Sequence, residues 1–446
     1  MFGKYRQVLL SAAILIGGAI PSGAQKTTQL SLEDAKQLGL KYNTDILNSQ
    51  LDLQIAQKKI WETTATGLPH LDAKSAYTLY PKVPTLPASF FDPNAGPNEK
   101  ISLLVQQNVV TDITVSQLIF NGAYFVGLQA AKVYYNISKQ NDEKTRLDVI
   151  ESVVNTYHML QLGEESRKIL AQNLDNINKT QNDVSEMYRQ GMVEKTDVDQ
   201  LEVNANTLRN ALNQVESNLE IGFRLLKIQV GLADSVKIAL TDSTETDASL
   251  TMSSLQLIAE PFDLQRNVDY QLTETSLEAA KLELKLEKTN SLPTINGYYD
   301  HTEKLKAPLF DFAPKDIIGV NLSLPIFSTG ERSAAVAQKR FSFEKALNTR
   351  NYVSSNLSME ASQDQNDLKL KLEKYRTQKE SKELSDNIYQ RTLEKYKEGM
   401  SSSMDLMNSQ NQYLTNLTNY YQSIYDLQVA KSKLEKLFNI NQDIKN

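Results

Sequence analysis

The segments YRQGMVEKTD (188–197) and YKEGMSSSMD (396–405) decide the fold, because each of them joins two long helix-like runs. Both follow the pattern Tyr-x-x-Gly-x-x-x-x-x-Asp, and residues 188–232 align with residues 396–440 without a gap at a constant offset of 208. Self-similarity of this kind indicates a duplicated architecture. The sequence therefore predicts two equivalent helical hairpins.

The duplication extends upstream of the hairpins. Residues 43–71 match residues 267–295 at an offset of 224, and SQLIFNG (116–122) matches SLPIFSTG (323–330). Each half thus reads as a helix, a Leu-Pro start of extended chain, a loop, a second extended run ending in Phe, and a hairpin. We divide the chain into repeat one (31–232), a linker (233–259) expected to be irregular, repeat two (260–440) and a short tail (441–446).

The N-terminus has the pattern of a signal peptide. Lys4 and Arg6 precede an apolar run at residues 8–20, and small residues stand at 22–24. This predicts a signal peptide at residues 1–24 and a mature chain of residues 25–446. Removal of the two cations changes the net charge from −6 to −8, which argues against binding of nucleic acid. The chain has no cysteine, which excludes disulfides and thiolate metal sites.

Long helices are predicted between the glycines and prolines. Ser31 with Asp34 forms a start signal for a first helix that is expected to continue to about Thr66. Proline-free runs at residues 127–190 and 333–398 could each form a helix of roughly 100 Å. The returning arm from Leu201 to Val230 has a heptad seam that neighbouring helices would bury. Four asparagines are expected to face water there: Asn204, Asn206, Asn210 and Asn213.

Four strands are predicted, at about residues 70–80, 101–119, 292–302 and 316–327. The proline-rich stretch 81–100 is expected to be a loop without regular structure. Between Ile318 and Ile326, apolar residues alternate with Gly319, Asn321 and Ser323. This alternation is typical of a membrane-barrel strand, although a soluble, half-buried sheet would show it too.

Four strands in one chain cannot close a barrel, and a membrane tolerates no open sheet edge. Two copies would give eight strands and a filled interior, whereas three copies would give about 12 strands and a water-filled lumen. The predicted fold class is an α+β membrane protein with a duplicated helix–strand–strand–hairpin order.

Several short motifs carry a resemblance to a known family. These are LEDA (32–35), Lys41-Tyr42-Asn43, the paired Leu-Pro strand starts, the PIF-type strand ends and the two hairpin segments. In this order they resemble the TolC-type outer-membrane efflux proteins. The resemblance implies a homotrimer in the outer membrane of a Gram-negative bacterium, with a 12-stranded β-barrel in the lipid and a long periplasmic α-helical barrel. It also implies partnership with a periplasmic adaptor (membrane fusion protein) and an inner-membrane transporter, without a cofactor.

The hairpin tips are candidate sites. Gly191 and Gly399 permit the left-handed backbone that ends a helix. The pairs Thr196/Asp197 and Ser402/Asp405 suit the start of the next helix. The resemblance implies adaptor docking at Gly191, Met192, Gly399 and Met400. A plain alternative is that these are only good turn residues.

The resemblance also implies a periplasmic gate. Its candidate residues are Asp197, Tyr396, Ser401, Asp405 and Asn408. Asp405 matches the first of the inward-facing aspartates of the family, but Asn408 stands where the second is expected, and Ser401 replaces a basic latch residue. Three copies of Asp405 would favour cations and raise each other's pKa. We therefore expect a gate that is looser or differently held.

The predicted function is an exit duct that passes drugs and other toxic small molecules. One alternative is an exit duct for type I protein secretion, and another is a periplasmic coiled coil that conducts nothing. An enzyme is not predicted, because His70, His158 and His301 have neither metal nor triad spacing.

Overall fold

The computed structural model describes residues 28–96, 98–242, 247–307 and 311–440. The predicted signal peptide (1–24) and tail (441–446) lie outside the described residues. The helices, in chain order, are α1 (Leu32–Tyr42), α2 (Thr44–Ala65), α3 (Gly122–Arg189), α4 (Lys195–Gln229), α5 (Asp247–Ala259), α6 (Val268–Thr289), α7 (Glu331–Lys397) and α8 (Ser403–Leu437). The strands are β1 (Thr28–Leu30), β2 (His70–Leu79), β3 (Thr85–Pro87), β4 (Lys100–Ser102), β5 (Gln107–Asn121), β6 (Ile238–Leu240), β7 (Thr294–Lys304) and β8 (Asp316–Ser323).

The chain forms two units. Among the described residues, the helical unit comprises those within 28–44, 148–260 and 364–435. The sheet unit comprises the described residues within 45–147, 261–363 and 436–440. Each unit takes corresponding segments from both repeats, as a duplicated chain should.

The sheet unit contains a four-stranded antiparallel sheet in the order β2-β5-β7-β8. In β8, Ile318, Val320 and Leu322 point to one face and are exposed, and Gly319 and Asn321 point to the other. The outer strands β2 and β8 have no partner on their far sides among the described residues. The sheet thus has one apolar face and two open edges. No helix in the described part of the chain is both long enough and apolar enough to cross a membrane.

Two strand boundaries differ from the prediction by four residues or more, and the others agree to within two residues. The second strand begins at Gln107 rather than 101, because Lys100–Ser102 pairs instead with Thr85–Pro87. The stretch 81–100 therefore contains a strand and a 3₁₀ turn, Ala88–Phe90, although it was expected to be irregular. The fourth strand ends at Ser323 rather than 327, since Pro325 has no N–H to continue a ladder.

The predicted first helix is broken at Asn43. Ser31 and Asp34 form the expected capping box of α1, but Asn43 is extended (φ −62°, ψ 136°) and separates α1 from α2. Its side-chain amide donates to the carbonyl of Gln229 at 2.9 Å. In repeat two, Asn267 donates in the same way to the carbonyl of Leu437 at 2.9 Å. Both asparagines fasten the start of a helix to the end of the returning arm.

The linker 233–259 is also more regular than expected. Its residues Ile238–Leu240 pair in parallel with Thr28–Leu30, and α5 follows. Leu250 and Leu257, one heptad apart, are both buried, which explains why a helix forms there. Residues 243–246 of this linker lie outside the described chain.

The heptad seam of α4 is buried as predicted. Of the four asparagines that were expected to face water, one is buried instead. Leu201, Ala205 and Leu208 are buried, and so is Asn204, whose amide donates to Gln410 of α8 at 3.1 Å. Asn204 lies three residues after Leu201 and four before Leu208, so it belongs to the buried face of the helix. Asn206, Asn210 and Asn213 are exposed.

Candidate functional site

The two hairpin tips have the same backbone. Gly191 and Gly399 are left-handed, with φ values of +74° and +72°. After each glycine, the methionine N–H bonds back into the preceding helix, from Met192 to Met187 at 2.9 Å and from Met400 to Lys395 at 2.8 Å. A Cβ at either glycine would meet no atom within 4 Å. Only the left-handed backbone requires glycine there, and the space around each tip is open.

Both tips present methionine to the surroundings. Met192 is 67% exposed and Met400 is 66% exposed. Each follows a fixed glycine turn, so its side chain leaves the hairpin at a defined point. Methionine is flexible and polarizable, and it suits contact with a variable apolar surface.

The helices that follow the tips begin with acidic caps. The Asp405 carboxylate accepts hydrogen bonds from the backbone N–H of Ser402 at 3.2 Å and from its hydroxyl at 2.7 Å. These bonds hold the pKa of Asp405 below its ordinary value. In the other hairpin, Glu194 is the residue immediately before α4. The Asp197 carboxylate accepts a hydrogen bond from the backbone N–H of Glu194 at 3.2 Å. Thr196 does not cap α4 as expected, since its hydroxyl donates to the Glu194 carboxylate at 3.1 Å.

Asp197 has a partner in the second hairpin. The Ser403 hydroxyl, at the start of α8, donates to the Asp197 carboxylate. Ser403 itself is buried. This bond joins the first turns of α4 and α8 within the helical unit. Sequence reasoning did not identify Ser403.

Tyr396 lies near Asp197 without bonding to it. The Tyr396 ring packs on an apolar cluster that includes Val184 and Leu201, and its hydroxyl has no hydrogen-bond partner within the described residues. Burial, and then the negative charge of Asp197, raise the pKa of Tyr396. The predicted latch pair is therefore adjacent, but the carboxylate is held by serine and not by tyrosine.

The other gate candidates lie on the first turns of α8. Asp405 and Asn408 are three residues apart and both exposed, so they share one face of the helix. Ser401 is half-buried, and its hydroxyl lies 3.5 Å from the Asp405 carboxylate. The structure thus brings the five gate candidates to the bases of the two tips.

Comparison with known proteins gives a family and a fold. A family model described as outer membrane efflux protein matches residues 35–227 and 263–439. The fold is similar to that of the outer membrane protein VceC of Vibrio cholerae, with 15% identity, a TM-score of 0.72, and 91% of this chain and 96% of that chain covered. It is also similar to the CmeC outer membrane channel of Campylobacter jejuni, with 18% identity, a TM-score of 0.72, and coverage of 91% and 85%. No curated protein matches the chain by sequence.

Proposed function

Because the chain belongs to the outer membrane efflux protein family, we propose that it is the exit duct of a three-component exporter and that its cargo is small molecules. It is an outer-membrane protein with a helical extension in the periplasm. The proposal rests on one observation, which is that two features occur in the same described chain. One is a four-stranded sheet with an apolar face and unpaired outer strands, and the other is a pair of hairpin tips with no atom within 4 Å of a Cβ placed on their glycines. Secretion of protein through the same duct is the second candidate function, since a water-filled lumen does not discriminate between small molecules and proteins.

The assembly proposed is a homotrimer. A sheet of four strands with open edges at β2 and β8 is unstable in lipid, because unpaired backbone groups have no water to bond. Pairing β2 of one copy with β8 of the next removes both edges. Three copies would close a barrel of about 12 strands around an aqueous lumen.

The partner proposed for the tips is a periplasmic adaptor, which in turn binds an inner-membrane transporter. The residues assigned to docking are Gly191, Met192, Gly399 and Met400. The test is in-cell photo-crosslinking from positions 192 and 400, with position 252 as the control. Met252 lies on α5 and is 68% exposed, so it matches the tip methionines in type and exposure.

Capture of an adaptor from positions 192 and 400, and not from 252, is the expected result. The transporter that copurifies with this adaptor would distinguish small-molecule export from protein secretion. Capture of further copies of the chain alone, from a verified outer-membrane trimer, would contradict docking at the tips.

The bond from Ser403 to Asp197 takes the place of an ionic latch in the proposed gate. We expect Asp197→Ala and Ser403→Ala each to raise the current through the closed channel. A hydrogen bond to a charged group is worth about 1.5–3 kcal/mol, which corresponds to about a tenfold or greater increase in opening. Single-channel recording in lipid bilayers measures this, with Ser403→Thr as the control that keeps the hydroxyl. An unchanged closed-state current in Asp197→Ala would count against the latch.

The pKa of Asp405 gives a pH prediction for the same gate. Bonds from Ser402 lower this pKa, so their stabilising effect is present above the unfolded pKa of about 3.9 and is lost as the pH falls through the folded pKa. We therefore expect the closed-state current to change only below about pH 4. Recording the closed-state current between neutral and acidic pH checks this prediction. The variant Asp405→Asn, which cannot titrate at this position, should lack the change in current. A step well above that range would mean that three Asp405 carboxylates repel one another across the pore, as the sequence suggested.

A further inference from the structure

Methionine is concentrated at the two hairpin tips. The chain has no cysteine, so methionine supplies all of its sulfur. Five of the nine methionines lie within residues 187–192 or 400–407: Met187, Met192, Met400, Met404 and Met407. Two-electron oxidants convert the methionine thioether reversibly to a sulfoxide. The tips are therefore the part of the molecule where this chemistry is concentrated.

Two of the five tip methionines occupy equivalent positions in the repeats. Met192 and Met400 are related by the offset of 208. The counterparts of the other three are not methionine: Lys395, Thr196 and Asp199. In each turn the backbone N–H of the methionine donates to the preceding helix, and this bond makes no demand on the sulfur. The duplicated feature is thus a thioether that the turn itself does not need.

Oxidation of Met192 and Met400 would leave the core of the hairpin in place. Their side chains are 67% and 66% exposed, and a Cβ on the glycine before each would meet no atom within 4 Å. Val193, the residue after Met192, packs on an apolar cluster that contains Val184 and Leu201. The fold of the first tip therefore depends on Val193, whereas the methionine sulfurs are open to small solutes.

The compartment of the tips favours a lasting modification. The chain belongs to a family of outer-membrane proteins, and its helical extension lies in the periplasm. The glutathione and thioredoxin that keep cytosolic sulfur reduced act in the cytosol, and the bacterial periplasm is oxidising. A sulfoxide formed at the tips would persist until a methionine sulfoxide reductase removed it.

We propose that Met192 and Met400 are sites of reversible oxidation, and that their conversion to methionine sulfoxide weakens docking of the periplasmic adaptor. The inference rests on the proposed docking at the tips and adds a modification that controls it. The thioether is apolar, whereas the sulfoxide carries a polar oxygen that must lose its water when the adaptor covers the tip. Oxidation thus lowers the affinity for the adaptor without removing a contact within the hairpin.

The oxidation step needs a peroxide from outside the chain. The sulfur lone pair attacks one oxygen of hydrogen peroxide, and the O–O bond breaks. That oxygen stays on the sulfur and gives up its proton to the other oxygen, which leaves as water. In the reverse step, a methionine sulfoxide reductase returns the two electrons from a dithiol, which becomes a disulfide, and the sulfoxide oxygen leaves as water.

The test uses the full-length protein in detergent and the adaptor captured by crosslinking from positions 192 and 400. The protein is treated with hydrogen peroxide, the peroxide is removed, and peptide mass spectrometry measures the sulfoxide fraction at each methionine. Adaptor affinity is then measured by biolayer interferometry. We expect full conversion at both positions to lower the affinity at least tenfold, which corresponds to about 1.4 kcal/mol. Methionine sulfoxide reductases A and B with dithiothreitol should restore it, since each enzyme reduces one sulfoxide epimer.

Matched variants assign the effect to the tips. Met192→Leu with Met400→Leu cannot form sulfoxides there, so its affinity should be the same before and after peroxide, whatever the starting value. Met252→Leu with Met359→Leu removes two methionines that are 68% and 60% exposed on α5 and α7, and it should lose affinity on oxidation as the parent does. Met192→Gln with Met400→Gln places a neutral polar group at each tip and should bind the adaptor weakly without peroxide.

The outcomes separate this inference from the proposed function. An affinity that is unchanged when both tip methionines are sulfoxides would overturn the inference and leave docking and the exit duct standing. An equal loss in Met192→Leu with Met400→Leu would place the effect at other methionines and would also overturn it. Failure of the untreated protein to bind any adaptor would contradict docking at the tips, and the inference would fall with it.

Discussion

Glutamate in place of both Met192 and Met400 is expected to stop export and to leave folding and membrane insertion unchanged. Both side chains are exposed at open turns, where substitutions usually change stability by no more than about 0.5 kcal/mol. On a docked adaptor the same carboxylates would be removed from water without a partner. Burial of an unpaired charge is strongly unfavourable, so the affinity for the adaptor should fall at least 100-fold, by about 2.7 kcal/mol or more.

Export is measured as loss of a fluorescent small molecule from cells, and adaptor binding by copurification. Met252→Glu is the matched control, because Met252 is equally exposed but lies on α5. The control should export normally, and the double variant should behave like a strain without the protein. Normal export by the double variant would exclude docking through these methionines. Comparison of the single variants would show whether the two tips contribute equally.

The sequence predicted the hairpin tips well because their determinants are local. A glycine with positive φ and a capping carboxylate act over a few residues, and both can be recognised from residue type and spacing. Duplication strengthened the prediction, since Gly191 and Gly399 each support the interpretation of the other. For the same reason, the ends of the two long helices α3 and α7 were predicted correctly from the glycines that follow them.

The partners of Asp197 and Asn204 could not be predicted in this way. Ser403 and Gln410 lie 206 residues from them along the chain, and both bonds depend on how α4 packs against α8. Ser403 has no support from the duplication, because the equivalent residue of repeat one is Lys195. Asn204 did carry a signal, since its spacing from Leu201 and Leu208 puts it on the buried seam.

The strand errors arose from competition between pairings. Residues 100–102 have strand-like composition, but a strand needs a partner, and the nearest available one was Thr85–Pro87. A prediction from periodicity alone extends an element until the pattern stops. The structure ends β8 earlier because the ladder requires an N–H that Pro325 lacks.

Asn267→Ala is expected to cost about 2–4 kcal/mol of the free energy of unfolding, because it removes two interactions at a buried position. Asn267 is 4% exposed, and its side-chain oxygen caps α6 by accepting from the N–H of Tyr270 at 3.0 Å. Its amide donates to the carbonyl of Leu437. Alanine would leave both of these backbone groups without a side-chain partner. The cap accounts for about 1 kcal/mol, and the buried carbonyl for a further 1–3 kcal/mol.

Denaturant unfolding in detergent, followed by helical circular dichroism, measures the effect. Asn267→Ser keeps a side-chain oxygen that can cap α6 but loses the amide donor to Leu437, so its loss should be smaller than that of alanine if the two interactions are separate. Asn210→Ala is the control, because Asn210 is exposed on α4 and should change stability by less than about 0.5 kcal/mol. A loss in Asn267→Ala no larger than that of Asn210→Ala would mean that the returning arm is held without this asparagine. The expected result would instead explain why the duplicated chain has an asparagine at the equivalent place in each repeat, where a helix begins and the returning arm ends.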